Sequence, residues 1–166
     1  MQEIVAGIKV RFWKRRREVV LTVAWVAAVA TLIIATHRNF YLANVRFSHY
    51  NVPFLFHSGP AFTDLARVLL LAVGFLIGAF ITDVKRLIYS YFTTMVFSSI
   101  IGVGYVYYYI WFSLGIGENL SQIAFGWELA LFWAVVNVFR IMFPFGVVLS
   151  LVGFVVGTIV RVWISP

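Results

Sequence analysis

Long apolar runs, separated by short groups of polar residues, dominate the chain. A helix needs roughly 20 mostly apolar residues to cross the hydrocarbon core of a bilayer, which is about 30 Å thick. Five runs approach that length, and the spans that they predict are about 19–36, 65–82, 88–112, 124–143 and 145–163. The pattern therefore predicts an all-α integral membrane protein with a bundle of about five transmembrane helices.

The boundary between the last two predicted spans lies at Pro144, where no polar residue marks a loop. A single helix over 124–163 would be about 60 Å long, roughly twice the hydrocarbon thickness. Proline lacks the backbone donor that a helix needs and disfavours helical geometry in the residue before it, and Gly146 permits a sharp turn. We therefore expect a tight helical hairpin at Pro144, with two half-inserted segments as the alternative.

The composition supports a lipid environment and excludes several kinds of chemistry. Apolar residues make up 63% of the chain and charged residues only 11%, whereas a soluble domain carries about a quarter charged residues. The chain has no cysteine, which excludes disulfides, thiolate metal sites, iron–sulfur ligation and a cysteine nucleophile.

The placement of the basic residues predicts the orientation of the spans. Cytoplasmic loops carry an excess of lysine and arginine, and nine of the 13 basic residues fall on the side of the N-terminus in a five-span topology. The orientation is therefore expected to be N-terminus in and C-terminus out, in the cytoplasmic (plasma) membrane. Trp111, Trp127 and Trp163 then share the outer boundary, where tryptophan is enriched. In this topology Arg161 also lies outside.

Residues 1–18 are predicted to form a separate cytoplasmic segment, a short basic amphipathic helix that lies on the inner leaflet and precedes a single transmembrane domain over 19–166. Cationic side chains near the surface gain about 1 kcal/mol each from anionic lipid. The membrane-surface basic residues are Lys9, Arg11, Lys14, Arg15, Arg16 and Arg17. A basic cluster that sets topology has the same composition as a nucleic-acid patch, so no nucleic-acid partner is inferred.

Residues 37–64 form an outer segment that holds seven aromatic residues, which is unusual for a solvated loop. We expect this segment to fold back on the membrane surface or to enter the protein between spans. It also contains the weak metal-ligand candidates of the chain, because imidazole and carboxylate groups bind copper, zinc or non-haem iron. These candidates are His37, His49, His57 and Asp64.

Small residues recur on one face of several predicted spans, and small residues let helix backbones approach closely in lipid. The predicted helix-packing residues are Gly74, Gly78, Ser98, Gly102, Gly146, Ser150, Gly153 and Gly157. Such faces pack either inside one bundle or against another subunit.

Four polar residues are candidates for intramembrane function, because ionisable groups inside a membrane are expensive. Glu128 is expected at the outer boundary, or in a buried ion pair with Arg67. Asn137 lies about 180° from Glu128 on a helix and is expected to make an interhelical hydrogen bond rather than a substrate contact. Arg140 is expected to extend toward the inner surface.

The leading functional hypothesis is a non-catalytic subunit that packs against other membrane protein subunits, or against its own copies, through its small-residue faces. The rival is a small transporter or channel with a polar site around Glu128, Asn137 and Arg67. A membrane enzyme with an outer histidine metal site is the weaker alternative. No cofactor is expected, and the partners predicted in every case are the bilayer and anionic lipid at the N-terminal segment.

Overall fold

The computed structural model of the chain describes residues 2–44, 60–113, 116–122 and 124–164, and the regular structure in these ranges is entirely helical. Two π-helical turns, Tyr109–Ser113 and Met142–Gly146, extend the helices that precede them. The helices are α1 (Gln2–Asn44), α2 (Asp64–Phe80), α3 (Val84–Tyr108), α4 (Ile116–Ser121), α5 (Gly126–Ile141) and α6 (Val147–Ile164).

Three helical stretches of the described chain are long and apolar enough to cross a membrane, as expected for an all-α membrane protein. They are Arg16–Leu42, Val84–Ser113 and Gly126–Ile164. Helix α1 is continuous over 43 residues, so the backbone of the predicted amphipathic segment and the first predicted span belong to one helix. At 1.5 Å per residue this helix is about 65 Å long. The side chains of Lys9, Arg11, Lys14 and Arg15 lie outside the described part of the structure.

Side-chain caps mark the residues at which α2 and α3 begin. The Thr63 hydroxyl accepts a hydrogen bond from the Ala66 backbone N–H at 3.3 Å, and the Asp83 carboxylate accepts one from the Lys85 N–H at 3.0 Å. Such caps satisfy backbone donors that a helix N-terminus leaves without partners. Because only Ile81 to Asp83 separate the two helices, α2 and α3 run in opposite directions.

Helices α1 and α3 run parallel. The contact between the Thr22 and Ser90 hydroxyls and the contact between the His37 and Tyr105 rings both join residues 68 positions apart. A constant offset over this length requires the same direction in both helices. Helix α2, which runs opposite to α3, therefore returns the chain to the end where α1 begins. Residues 37–44 of the predicted outer segment belong to α1, and residues 45–59 lie outside the described ranges.

Helices α2 and α6 also run parallel, and their backbones approach closely. A Cβ placed on Gly74 would lie 2.6 Å from the Ser150 carbonyl oxygen, and one placed on Gly78 would overlap the Phe154 carbonyl group. From the other side, Gly153 and Gly157 face the carbonyl groups of Leu71 and Phe75. The predicted small-residue faces of these two helices thus pack against each other within the chain.

The expected hairpin at Pro144 is wrong. Gly102 of α3 packs beside Val138 of α5, and Tyr91, lower on α3, donates its hydroxyl to the Val147 carbonyl oxygen of α6 at 3.0 Å. From Gly102 to Tyr91 the residue numbers fall along α3, while those of the contacting residues rise from Val138 in α5 to Val147 in α6. Both α5 and α6 therefore run opposite to α3 and in the same direction as each other.

The chain does not reverse at Pro144 because helical geometry is lost only locally there. Phe143 is extended, with φ −107° and ψ 136°, whereas the flanking Ile141 and Val147 have right-handed helical dihedrals. Proline interrupts the hydrogen-bond ladder, and the surrounding turn widens without reversing the chain. The Phe62 ring packs against Gly146, so α2 begins beside this break.

The direction of α6 moves the last residues of the chain to the opposite end from that expected. The Arg161 guanidinium donates to the Ile81 carbonyl oxygen, and the Arg17 guanidinium donates to the Phe80 carbonyl oxygen at 3.4 Å. Arg161 and the neighbouring Trp163 therefore lie at the end of the bundle that contains Arg17. The expectation that Arg161 and Trp163 lie on the other side is wrong, because it depended on the hairpin.

Candidate functional site

A line of buried and half-buried polar side chains runs between α1 and α3. We call it the polar seam: Glu18, Thr22, Ser90, Thr94 and Ser98. The three residues from α3 recur at four-residue spacing, which places them on one helix face. All three are buried, and Thr94 and Ser98 are completely inaccessible to solvent. The two residues from α1 face the lower part of the same line.

The seam begins at a buried carboxylate. Glu18 is only 6% exposed, and its Oε2 atom accepts a hydrogen bond from the Arg86 guanidinium, which also lies 3.3 Å from the Asp83 carboxylate. The other oxygen, Oε1, is buried and has no hydrogen-bond partner among the described residues. Because a buried carboxylate is stable only when paired, Arg86 holds Glu18 in place while leaving one oxygen available.

One turn further on, the hydroxyls of Thr22 and Ser90 lie 2.8 Å apart. The Thr22 hydroxyl donates to the Glu18 carbonyl oxygen at 2.9 Å, so its only proton is used there. The Ser90 hydroxyl therefore donates to Thr22, which joins α1 to α3 directly above the ion pair.

The next hydroxyl, that of Thr94, makes no hydrogen bond within the described structure although it is completely buried. Ser98 donates to the Thr94 carbonyl oxygen at 2.6 Å. Successive seam residues on α3 rise about 6 Å along the helix.

An apolar section follows the seam. A Cβ placed on Gly102 would lie 2.9 Å from the Cγ2 atom of Ile33 in α1, and the Val138 side chain of α5 packs against the same position. Ile33 and Val106 are both fully buried. The predicted packing residue Gly102 thus makes room for Ile33, and the section closes the line of polar groups above Ser98.

Beyond the apolar section lies a buried histidine enclosed by tyrosines, the His37 cluster: His37, Tyr41, Tyr105 and Tyr109. The His37 ring centroid lies 4.5 Å from that of Tyr41, 5.9 Å from that of Tyr105 and 5.3 Å from that of Tyr109. The histidine is completely buried, and neither ring nitrogen has a hydrogen-bond partner in the part of the chain that the structure describes.

The predicted pairing of Arg67 with Glu128 is not formed. Arg67 instead contacts the Asp64 carboxylate at 3.1 Å, and its guanidinium lies 4.8 Å from the centroid of the Phe145 ring. Glu128 lies in the first turn of α5, and its buried Oε2 has no hydrogen-bond partner among the residues described. These polar residues do not come together as one site.

The two remaining candidates of the fourth predicted span lie on α5. Asn137 is buried, and its side-chain amide donates to the Trp133 carbonyl oxygen of its own helix at 2.8 Å. Arg140 lies in the last turn of α5.

The histidine metal site receives no support from the described residues, which contain no group of three or more His, Cys, Asp and Glu side chains able to hold a metal ion. His37 is enclosed by tyrosines, and the Asp64 side chain is 96% exposed beside Arg67. His49 and His57 lie outside the described residues.

Sequence reasoning missed most of the seam. The recurrence of Thr94, Ser98 and Gly102 is visible in the sequence, but small hydroxyl residues are equally typical of plain helix packing. Glu18 follows a basic cluster, and nothing in the sequence pattern marks it as buried. Only the parallel packing of α1 and α3 brings Glu18 and Thr22 into line with Ser90.

No protein-family model, no curated protein and no solved structure matches the chain. The function proposed for the site therefore depends on its own residues.

Proposed function

We propose that the protein is a small multi-pass membrane transport protein that passes protons or small ions along the polar seam. The observation that carries the proposal is the buried Thr94 hydroxyl, which has no hydrogen-bond partner within the described residues. A buried polar group without a partner costs about 1–3 kcal/mol. Valine has nearly the shape of threonine, so packing alone does not account for a hydroxyl at this position.

A hydrated pathway supplies the missing partners. Glu18 offers one unpartnered oxygen at the lower end, and the hydroxyls of Ser90, Thr94 and Ser98 follow at intervals of one turn. Polar and ionisable groups inside a membrane bundle commonly mark ion or proton pathways. Bridging waters along these groups would satisfy Thr94 and connect the ion pair to the middle of the bundle.

The apolar section of Ile33, Gly102 and Val138 corresponds to the closed state of such a pathway. An apolar constriction excludes water and so blocks ions without any charged barrier. In this proposal transport requires a separation of α1 from α3 at Gly102, where the Ile33 side chain of α1 packs against α3.

For the topology we propose a protein of the cytoplasmic membrane with both the N-terminal region and the end of α6 on the inner side. The end of the bundle at Ile81 holds the basic residues Arg16, Arg17, Lys85, Arg86 and Arg161. An inner location for this end agrees with the excess of basic residues in cytoplasmic segments. Anionic lipid is the proposed partner of the basic residues in the N-terminal part of α1.

Transport is better supported than the subunit role predicted from small-residue faces. Gly74, Gly78, Gly153 and Gly157 all contact backbone atoms of a neighbouring helix in the same chain. These faces are therefore occupied, and they offer no surface to a partner subunit.

The test compares two threonine-to-valine variants in proteoliposomes. Thr94→Val removes the unpartnered seam hydroxyl, and Thr31→Val removes an exposed hydroxyl that bonds only to its own helix, to the Ala27 carbonyl oxygen. Fluxes of H⁺, Na⁺, K⁺ and Cl⁻ are measured under imposed gradients for the wild type and both variants. Thermal unfolding in detergent is measured on the same samples.

We expect the wild type to carry at least one of these ions, Thr94→Val to lose that flux and Thr31→Val to keep it. Thr94→Val is also expected to be at least as stable as the wild type, because its hydroxyl makes no bond within the described residues. A wild type without any flux, or equal fluxes in the two variants, contradicts the proposal.

A further inference from the structure

We propose that His37 is a proton-relay residue and that the transported species is the proton; this inference rests on the proposed transport function. The juxtaposition that supports it is a fully buried imidazole with two unpartnered nitrogens, placed on α1 beyond the polar seam.

The chemistry of imidazole suits this position. A neutral imidazole has one N–H donor and one lone pair, on opposite sides of the ring. In a relay step, a hydronium ion gives its proton to the free lone pair, and the imidazolium then releases the proton of the other nitrogen to a second water molecule. One N–H bond forms and one breaks, and a flip of the ring restores the starting state. The step requires both nitrogens to be free, as they are at His37 among the described residues.

The surroundings of His37 contain no acidic group, among the described residues, that would trap a proton on the imidazole. The rings of Tyr41, Tyr105 and Tyr109 enclose it, with centroids within 6 Å of the imidazole centroid. No carboxylate pairs with His37 within the described ranges; the nearby charged group is the guanidinium of Arg38, which interacts with Tyr109. An acidic partner would hold the proton, whereas aromatic rings interact with it weakly enough to allow release.

The position of His37 relative to Glu18 fits a transmembrane relay. The two residues lie on the same helix 19 positions apart, which corresponds to about 28 Å at 1.5 Å per residue. That length is close to the hydrocarbon thickness of about 30 Å. Glu18 and His37 are thus the protonatable groups at the two ends of the line, with the seam hydroxyls and the apolar section between them.

The experiment measures proton flux in proteoliposomes with a trapped pH-sensitive dye and a potassium diffusion potential. His37→Phe keeps an aromatic ring in the cluster, and His37→Gln keeps hydrogen-bonding groups, but neither side chain relays a proton. We expect both variants to lose about 100-fold in proton flux, the lower end of what a positioned proton-transfer group contributes. Tyr108→Phe, at a tyrosine that is 57% exposed, is the control and is expected to keep the flux.

A second variant separates relay from packing. In His37→Ala the side chain is removed, and millimolar imidazole in the buffer is expected to restore proton flux, which a purely structural role of His37 would not allow. On the wild type, ¹⁵N NMR of labelled histidine in bicelles is expected to show exchange of His37 between neutral and protonated forms as the pH is lowered.

The outcomes distinguish the two proposals. Proton flux that is unchanged in His37→Phe and His37→Gln, flux of another ion without protons, absence of imidazole rescue, or a His37 signal that stays neutral at every pH would each overturn the relay. Of these, the first two leave transport itself supported. A wild type that carries no ion refutes the proposed function, and the relay with it.

Discussion

The glycine contact between α2 and α6 makes the sharpest prediction about the fold. Substituting Gly74 by alanine places a Cβ 2.6 Å from the Ser150 carbonyl oxygen and 3.2 Å from the Phe154 backbone nitrogen. Even close carbon–oxygen contacts in proteins lie at about 3.3 Å. Because both neighbours are backbone atoms, no side-chain rotation relieves the overlap, and α6 must move away by several tenths of an ångström.

Gly104→Ala is the matched control, because a Cβ at Gly104 meets nothing within 4 Å among the described residues. Both substitutions improve helix propensity by about 1 kcal/mol, so this contribution cancels between them. Overpacking costs about 1–3 kcal/mol. We therefore expect Gly74→Ala to have a free energy of unfolding about 1–3 kcal/mol lower than that of Gly104→Ala.

The assay is unfolding in mixed detergent micelles with increasing SDS, followed by circular dichroism and tryptophan fluorescence. The expected result is a lower midpoint for Gly74→Ala than for the wild type, and a midpoint for Gly104→Ala at or above it. If Gly74→Ala is as stable as Gly104→Ala, the parallel contact of α2 with α6 is not the one described here, and the direction of α6 must be reconsidered.

Two further predictions test the ends of the bundle. The chain has no cysteine, so a single introduced cysteine is the only thiol that the purified protein carries after labelling of intact cells. Lys85→Cys and Trp163→Cys are expected to react from the same side of the membrane and Ser121→Cys from the other. A hairpin at Pro144 would instead place Trp163→Cys with Ser121→Cys. Arg86→Gln is expected to lower the unfolding midpoint more than Lys85→Gln, because it leaves the buried Glu18 carboxylate unpaired. Adding Glu18→Gln to Arg86→Gln should recover part of the loss. Equal midpoints for the two single variants would contradict a structural ion pair.

Local features of the candidate site were only partly readable in the sequence. Four-residue spacing identified Ser98 and Gly102 as buried, because helix periodicity depends on neighbouring residues alone. The α1 residues that face this side of α3, Thr22 opposite Ser90 and Ile33 beside Gly102, lie about 68 positions away in the sequence, and such an offset is not encoded in any local pattern. The same limitation applies to His37, whose spacing to Tyr41 is visible but whose enclosure by Tyr105 and Tyr109 is not.

Composition and periodicity are enough to predict an all-α membrane protein, and they mark the apolar runs, the packing glycines and the break at Pro144. These properties follow from composition and periodicity, because each residue's preference for lipid or for a helix is expressed locally. Contacts between distant residues were needed to establish that the chain continues in one direction past Pro144, that α2 and α6 lie side by side, and that Thr22 faces Ser90. A proline interrupts a helix whether the chain then reverses or continues. Here the chain continues because its direction past Pro144 brings the glycine faces of α2 and α6 into close contact.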